Sequence, residues 1–424
     1  MDRIMVKRVL MIAYHYPPMR GSSGIQRTLK FSEYLPDAGW EPIILSANAG
    51  AYQETSLEQT AEISDRVRVH RSLALDAARH LALRGRYPGL LAQPDRWVSW
   101  WLSAVPVGLR LIRKYQPQLI WSTYPIASAH LIALTLQRIS GLPWIADQRD
   151  PLIDDGYPAN PRTRSIHEWI EAKAMQHGSA IVCTTPGALR SWRERFPQAP
   201  ETRFNLIENG YDEQNFLHAA AHGPTPRPPA SRRIFRLLHS GLIYPSERDP
   251  RALFGALASL KEQGHIGADN FRLVLRATGH DDFLRPLIGG MGIGSLVELA
   301  PALTYRDALA EMLDADGLLI LQASNCNGQI PAKLYEYLRA QRPILALTDP
   351  AGDTAGALRR AGIDTIGLLH SSADIAPALM RFLRLCREAK APLARPYAIA
   401  QYSRAARTLE LADLFNRISG KDRA

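Results

Sequence analysis

The stretch LIWSTYPIASAHLIALTLQRISGLPWIA, residues 119–146, decides the fold. It opens on Leu119-Ile120-Trp121 and closes on Trp144-Ile145-Ala146, two apolar runs too short for helices, with a helix-period segment between them. Strand, helix and strand in that order form a crossover unit, the building block of a parallel sheet covered by helices. The same alternation continues in both directions. Upstream lie Val9-Leu10-Met11-Ile12-Ala13 and Pro42-Ile43-Ile44-Leu45, and downstream lies Ala180-Ile181-Val182. Around Leu217 to Ser231 it stops, where His222-Gly223-Pro224-Thr225-Pro226-Arg227-Pro228-Pro229 can neither pair as a central strand nor continue a helix. It restarts at Phe235-Arg236-Leu237-Leu238, then at Phe271 to Leu275, Gly317 to Leu321, Ile344 to Leu347 and Thr365 to Leu368. Two doubly wound α/β domains are expected, in residues 1–220 and 232–396, joined by a linker at 221–231. One amphipathic helix, Tyr397 to Ile418 in the segment 397–424, is expected to pack back across the domain boundary.

A length of 424 residues agrees with two or three domains at about 150 residues each. With 46% hydrophobic and 22% charged residues, the chain is neither disordered nor a disulfide-stapled miniprotein. Its 51 Lys and Arg against 41 Asp and Glu leave a formal charge of +10, which points to an anionic partner: nucleic acid, acidic membrane or phosphorylated substrate. No nucleic-acid reader motif is present, so nucleic acid is the weakest of these. Cys183, Cys326 and Cys386 lack zinc spacing and read as reduced cysteines of a cytoplasmic protein. The apolar run after Lys7 and Arg8 is too short for a signal peptide. No apolar stretch reaches the roughly 20 residues that span a bilayer, so any membrane contact is expected to be peripheral. Trp97, Trp100 and Trp101, followed by Arg110, Arg113 and Lys114, read either as an interfacial aromatic and basic face towards acidic lipid or as ordinary core packing.

In a doubly wound sheet, ligands bind beyond the carboxyl ends of the strands, so the loops there hold the candidate residues. After the first strand comes a loop with Gly21, Ser22, Ser23 and Gly24, where backbone can approach an anion closely at a helix start. After Trp144-Ile145-Ala146 come Asp147, Arg149 and Asp150, two carboxylates flanking an arginine that could orient a sugar hydroxyl or remove its proton. A salt-bridged strand-end turn is the alternative. The strongest strand of the second domain leads into Asn325-Cys326-Asn327-Gly328-Gln329-Ile330-Pro331-Ala332-Lys333-Leu334-Tyr335-Glu336-Tyr337. Pro331 suits the first position of a helix, whose backbone donors and Lys333 favour an anion, with Glu336 on the same face to accept bonds from ribose hydroxyls. Opposite this loop, Gly241 follows a strand, and Arg248 precedes a helix and can contact a phosphate. Arg276 and Gly279 close a further strand, with no role assigned.

These residues resemble the bacterial GT-B glycosyltransferases of the retaining family four, of the cell-surface polysaccharide type. The resemblance rests on Tyr16-Pro17-Pro18, Gly21 to Gly24, Ile25-Gln26-Arg27, Gly39-Trp40-Glu41-Pro42, Arg149-Asp150-Pro151, Ile207-Glu208-Asn209-Gly210-Tyr211-Asp212 and Ile330-Pro331-Ala332-Lys333-Leu334-Tyr335-Glu336-Tyr337-Leu338. It implies a GT-B fold of two Rossmann-like domains, and a hexosyltransferase that takes a nucleotide-diphosphate sugar as co-substrate and uses no cofactor or metal. Its acceptor would be a glycan or lipid-linked glycan in exopolysaccharide or lipopolysaccharide assembly, on the cytoplasmic side with peripheral membrane contact. It further implies that Gly21, Ser22, Ser23, Gly24 and Gly241 approach the donor, that Arg248 and Lys333 hold its diphosphate and that Glu336 holds its ribose. Arg149 and Asp150 would take the catalytic position. Two departures stand out: Gly328 replaces the family glutamate eight positions before Glu336, and Leu242 replaces the arginine after Gly241. Sugar recognition would then fall to Asn325, Asn327 or Gln329. A GT-B sugar-nucleotide epimerase and a non-catalytic subunit of an assembly complex are the alternatives.

Overall fold

A computed structural model describes residues 7–20, 24–154, 156–223 and 234–420. The chain forms two compact units, Met1–Asn209 with Arg404–Ala424 and Gly210–Ser403. In the first unit seven parallel strands line up in the order β3-β2-β1-β4-β5-β6-β7. They are β1 (Lys7–Ile12), β2 (Trp40–Ala47), β3 (Arg68–Ser72), β4 (Leu119–Thr123), β5 (Trp144–Gln148), β6 (Ala180–Cys183) and β7 (Phe204–Leu206). The second unit has six, ordered β10-β9-β8-β11-β12-β13, from β8 (Phe235–Ser240), β9 (Phe271–Arg276), β10 (Val297–Ala300), β11 (Gly317–Leu321), β12 (Ile344–Leu347) and β13 (Ile366–Gly367). Both sheets reverse direction of winding once, between β1 and β4 and between β8 and β11. Such switch points open a crevice at the strands' carboxyl ends.

The central strands β1, β4, β5, β11 and β12 are buried nearly throughout, as helices on both faces require. Helix Trp100–Tyr115 lies against helix Ala127–Ser140, and Gly108 permits the close approach: a Cβ there would stand 2.5 Å from Leu136 Cδ1. This packing overturns the interfacial reading of the tryptophans. Trp100 is fully buried and donates to Ser72 Oγ at 2.9 Å, Trp101 donates to Thr135 Oγ1 at 2.9 Å, and Trp97 packs on Tyr14 with ring centroids 4.9 Å apart. Arg110, Arg113 and Lys114 are exposed on the other face. Among the described residues no helix is long and apolar enough to cross a membrane.

The chain changes unit at Asn209 and Gly210, ahead of the proline-rich stretch, whose residues 224–233 lie outside the described residues. The physical reason is that helix Glu213–His222 belongs to the second core. Phe216 and Ala219 are buried in it, Arg339 clamps Glu213 through two bonds of 2.5 and 2.6 Å, and Asp212 caps the helix through Asn215 N–H at 3.1 Å. The expected single C-terminal helix is two: Pro396–Gln401 in the second unit and Arg404–Gly420 in the first. Between them the Tyr402 carbonyl accepts from Tyr211 N–H at 3.1 Å, and Ser403 bridges Tyr211. The second helix packs on helix Gly24–Tyr34, with Trp40 and Phe415 edge to face at 5.2 Å.

Candidate active site

In the second unit, the loops after β8 and β11 flank the switch point and bring together residues far apart in sequence. His239, the penultimate residue of β8, is fully buried, and its Nδ1–H donates to the Leu319 carbonyl on β11 at 2.9 Å. That bond leaves Nε2 as an acceptor, and Lys333 Nζ donates to it at 3.0 Å. Lys333 also lies against Gly241, whose φ is +115°: a Cβ there would stand 3.0 Å from Nζ. Burial, then the positive charge of Arg248, hold the Lys333 ammonium well below its usual pKa, with Glu336 opposing. His239 is pushed well below its ordinary value by burial and then by Lys333, so its imidazole is neutral. Arg248 donates to the Leu242 carbonyl at 2.7 Å and lies over the Tyr244 ring. Glu336 accepts from the Tyr305 hydroxyl at 2.7 Å. Two cations, a side-chain-free strand end and an oriented carboxylate meet here, an arrangement suited to a diphosphate and a neighbouring diol.

Of the other donor-loop residues, Asn327 is bound to Asp349 Oδ2 at 2.7 Å, and its carbonyl accepts from Asp353 N–H at 2.8 Å. Ile330 is a core side chain. These two hold the loop's shape. The Gln329 carbonyl accepts from Gln322 and Thr354, while Gly328 is exposed. Helix Lys333–Ala340 starts two residues after Pro331, which closes a tight opening turn by accepting from Leu334 N–H at 2.9 Å, so Pro331 is not its first residue. Arg276 is engaged by Glu311 at 2.6 and 2.8 Å and by the Pro301 carbonyl, a structural tie. Gly241→Ala forces a side chain into a left-handed backbone and against Lys333; a loss of about 1–3 kcal/mol is expected. Urea unfolding of the variant measures it.

In the first unit, Gly21, Ser22 and Ser23 lie outside the described residues. Arg149, just past β5, donates to the Gly24 carbonyl at 3.0 Å, and its Nε is buried with no hydrogen-bond partner among the described residues. Burial lowers its pKa, opposed chiefly by Asp150. His15, three residues past the end of β1, is pushed down to about 3, by burial first and then by the Arg149 charge. Asp150 is exposed beside this pair. Asp147 is not available for substrate, contrary to the reading of two free carboxylates. It is fully buried, bound in bidentate fashion by Arg27 at 2.8 and 2.9 Å, and accepts from Thr123 Oγ1 at 3.0 Å. The sequence carries no signal for a role of His239, His15 or Tyr305; Arg27 stands in the Ile25-Gln26-Arg27 motif, but Thr28, Lys30 and Ser32 are buried on the same helix, so its charge does not stand out.

The family model of the Glycosyl transferase 4-like domain matches residues 23–210. No curated protein matches in sequence. Among solved structures, the chain superposes on sucrose-phosphate synthase from Thermosynechococcus elongatus with a TM-score of 0.70 at 14% identity, over 98% of this chain and 100% of that one. On Anabaena HepE in complex with UDP-glucose the TM-score is 0.66 at 12% identity, over 97% and 99%. On WaaG, a glycosyltransferase involved in lipopolysaccharide biosynthesis, it is 0.61 at 15% identity, over 96% and 99%. Two parallel-sheet units with this winding, matched end to end, give the chain the GT-B fold of glycosyltransferases, and within it residues 23–210 match a Glycosyl transferase 4-like domain.

Proposed function

We propose that the protein is a retaining glycosyltransferase that moves a hexosyl group from a nucleoside-diphosphate sugar to a glycan or lipid-linked glycan in cell-surface polysaccharide assembly. The observation that carries this reading is the meeting of Lys333, Arg248, Gly241 and Glu336 at the switch point of the second unit. The HepE complex with UDP-glucose supports the donor class, and WaaG supports the pathway class. In this reading Lys333 and Arg248 meet the charge that develops on the departing diphosphate, without a metal ion, and Glu336 holds the ribose diol. Asp150 orients the incoming hydroxyl, while the Arg149 guanidinium sets its positive charge beside the reacting sugar. In this reading the protein works on the cytoplasmic face of the membrane, with the exposed Arg110, Arg113 and Lys114, and not the tryptophans, turned to acidic lipid.

Purified full-length protein, titrated with UDP, GDP and ADP sugars in a calorimeter, tests the donor assignment. Binding of one of these is expected, weakened about 10- to 100-fold in Glu336→Ala by loss of charge-assisted bonds to the ribose. If no donor binds, or Glu336→Ala binds as the wild type does, the assignment is wrong. Asp150→Asn is expected to leave donor binding intact and to lower the transfer rate about 100-fold or more, measured as product formed from labelled donor.

A further inference from the structure

Helix Pro161–His177 of the first unit carries a buried histidine in its interior, His167. Its ring bridges two segments that leave the sheet at the carboxyl edge. Nδ1 lies 3.0 Å from the carbonyl of Leu152, in the loop after β5, and Nε2 lies 3.2 Å from the carbonyl of Pro94, between β3 and helix Trp100–Tyr115. A carbonyl oxygen only accepts, so each bond needs an N–H, and only the doubly protonated ring supplies both. A neutral ring of either tautomer turns a nitrogen lone pair towards a buried carbonyl oxygen, and one bond is lost. A counter-charge is in place. Asp95 directly follows Pro94, and its carboxylate accepts from Ser128 N–H at 2.7 Å, Ser128 Oγ at 2.9 Å and Trp97 N–H at 3.0 Å. Burial raises the Asp95 pKa, and those bonds and then the positive charge of His167 oppose the rise.

The other titratable groups around the ring do not take over this role. His130 on helix Ala127–Ser140 is pushed down to about 4, by burial first, and stays neutral. Burial pushes the Tyr124 hydroxyl far above its usual range, so it stays a phenol. On the helix of His167 itself, Arg164 pairs with Glu168 at 3.3 Å and Glu171 pairs with Arg195. Arg96, next to Asp95, pairs with Asp76 at 2.5 Å, while Asp150, Asp154 and Tyr157 in the loop are exposed. The bond to Leu152 matters because Leu152 stands two residues after Asp150. Upstream of Asp150, Thr184 Oγ1 donates to the Arg149 carbonyl at 2.6 Å. Downstream, His167 holds the Leu152 carbonyl while the Leu152 side chain is buried with Tyr124 and Ile170. Pro151, between the two ties, has no N–H to add a third.

We propose that His167 is a positioning residue: it ties the loop that carries Asp150 to the Pro94–Asp95 segment, and the tie is complete only while its ring is doubly protonated. The proposal rests on the transferase reading above and adds to it what fixes the place of Asp150 and over which pH range. Full-length wild type, His167→Gln and His167→Asn test it. Gln offers one donor near the Nε2 position and Asn one near Nδ1, and neither can carry the charge. In nitrogen-15 histidine spectra of the wild type over about pH 5 to 8, both His167 ring nitrogens are expected to carry protons at the lower end. At one fixed pH, residues 150–157 are expected to exchange amide hydrogens about 10-fold faster or more in His167→Gln, which loses the Leu152 bond, and less so in His167→Asn. At saturating donor, wild-type kcat is expected to fall as pH rises and the second ring proton leaves. Both variants lose that dependence and run about 10- to 100-fold slower at the low end, with UDP affinity unchanged because Lys333 and Arg248 belong to the other unit. A ring protonated on one nitrogen throughout, unchanged exchange in His167→Gln, or the wild-type pH profile in both variants overturns the proposal. Should both variants fail to fold, the wild-type ring spectrum decides alone. If the wild type transfers no sugar while exchange still rises in His167→Gln, the tie stands and the transferase reading falls.

Discussion

Lys333→Met lowers transfer efficiency with a nucleotide-sugar donor by about 100- to 1,000-fold, the effect of removing one preorganised donor to a developing negative charge. The ammonium sits at the switch point of the second unit, 3.0 Å from His239 Nε2 and pressed over Gly241, so its position is fixed before any ligand arrives. It also makes donor binding depend on pH in a defined direction. In the free protein, burial and Arg248 destabilise the charged form, with Glu336 on the same helix opposing and neutral His239 accepting its bond. A bound diphosphate stabilises the charged form, so the Lys333 pKa is higher in the complex than without ligand. Below the free-protein value the ammonium is present in both states and affinity is flat. Between the free and bound values a proton is taken up on binding, and affinity falls as pH rises, by up to about tenfold per pH unit. Calorimetry with UDP over about pH 6 to 9, in two buffers of different ionisation enthalpy, counts that proton. A flat profile, or the same slope in Lys333→Met, would show that Lys333 does not carry the effect.

The second large effect is on stability. Asp147→Ala is expected to cost about 3–5 kcal/mol, because it leaves the Arg27 guanidinium charged and buried without its counter-ion. Both side chains are almost wholly enclosed, at 1% and 0% exposure, so solvent cannot take the place of the missing carboxylate. Arg27 also donates to the carbonyls of Ile207 and Glu208 at 2.9 and 3.1 Å, just before the chain leaves the first unit, so the loss spreads from β5 to that segment. Urea unfolding of the wild type and the variant, followed by tryptophan fluorescence, measures the shift. The double variant Arg27→Met/Asp147→Leu is expected to recover part of the loss, since it removes both charges, but not all of it, since the two carbonyls stay unpaired. A single variant as stable as the wild type would remove the pair from any structural role.

How far the sequence could be read depended on where a residue's energy comes from. The central strands declared themselves because burial on both faces forces a continuous apolar run, as in Leu119-Ile120-Trp121. Three of the four edge strands, β3, β7 and β10, with sequences RVHRS, FNL and VELA, did not, because an edge is partly solvated and short; the fourth, β13, lies within the apolar Thr365 to Leu368 run. The break between helices Pro396–Gln401 and Arg404–Gly420 was invisible for another reason. Nothing local stops the helical pattern there; pairing of Tyr402 and Ser403 with Tyr211, nearly two hundred residues earlier, does.

The sequence by itself determined the two-sheet architecture, put Gly241, Arg248, Arg149 and Asp150 in loops at strand ends and put Lys333 and Glu336 on the helix that follows such a loop, because periodicity and loop position are local properties. Tertiary structure alone decided which of those residues share a point in space and which charges are already spent. It placed Lys333 on His239, turned Asp147 from a free carboxylate into the counter-ion of Arg27, buried Trp100 and packed Trp97 and Trp101 half-buried against the same core. The physical reason is that a charge or an aromatic ring takes its role from its neighbours in three dimensions, and those neighbours come from strands adjacent in the sheet but distant along the chain.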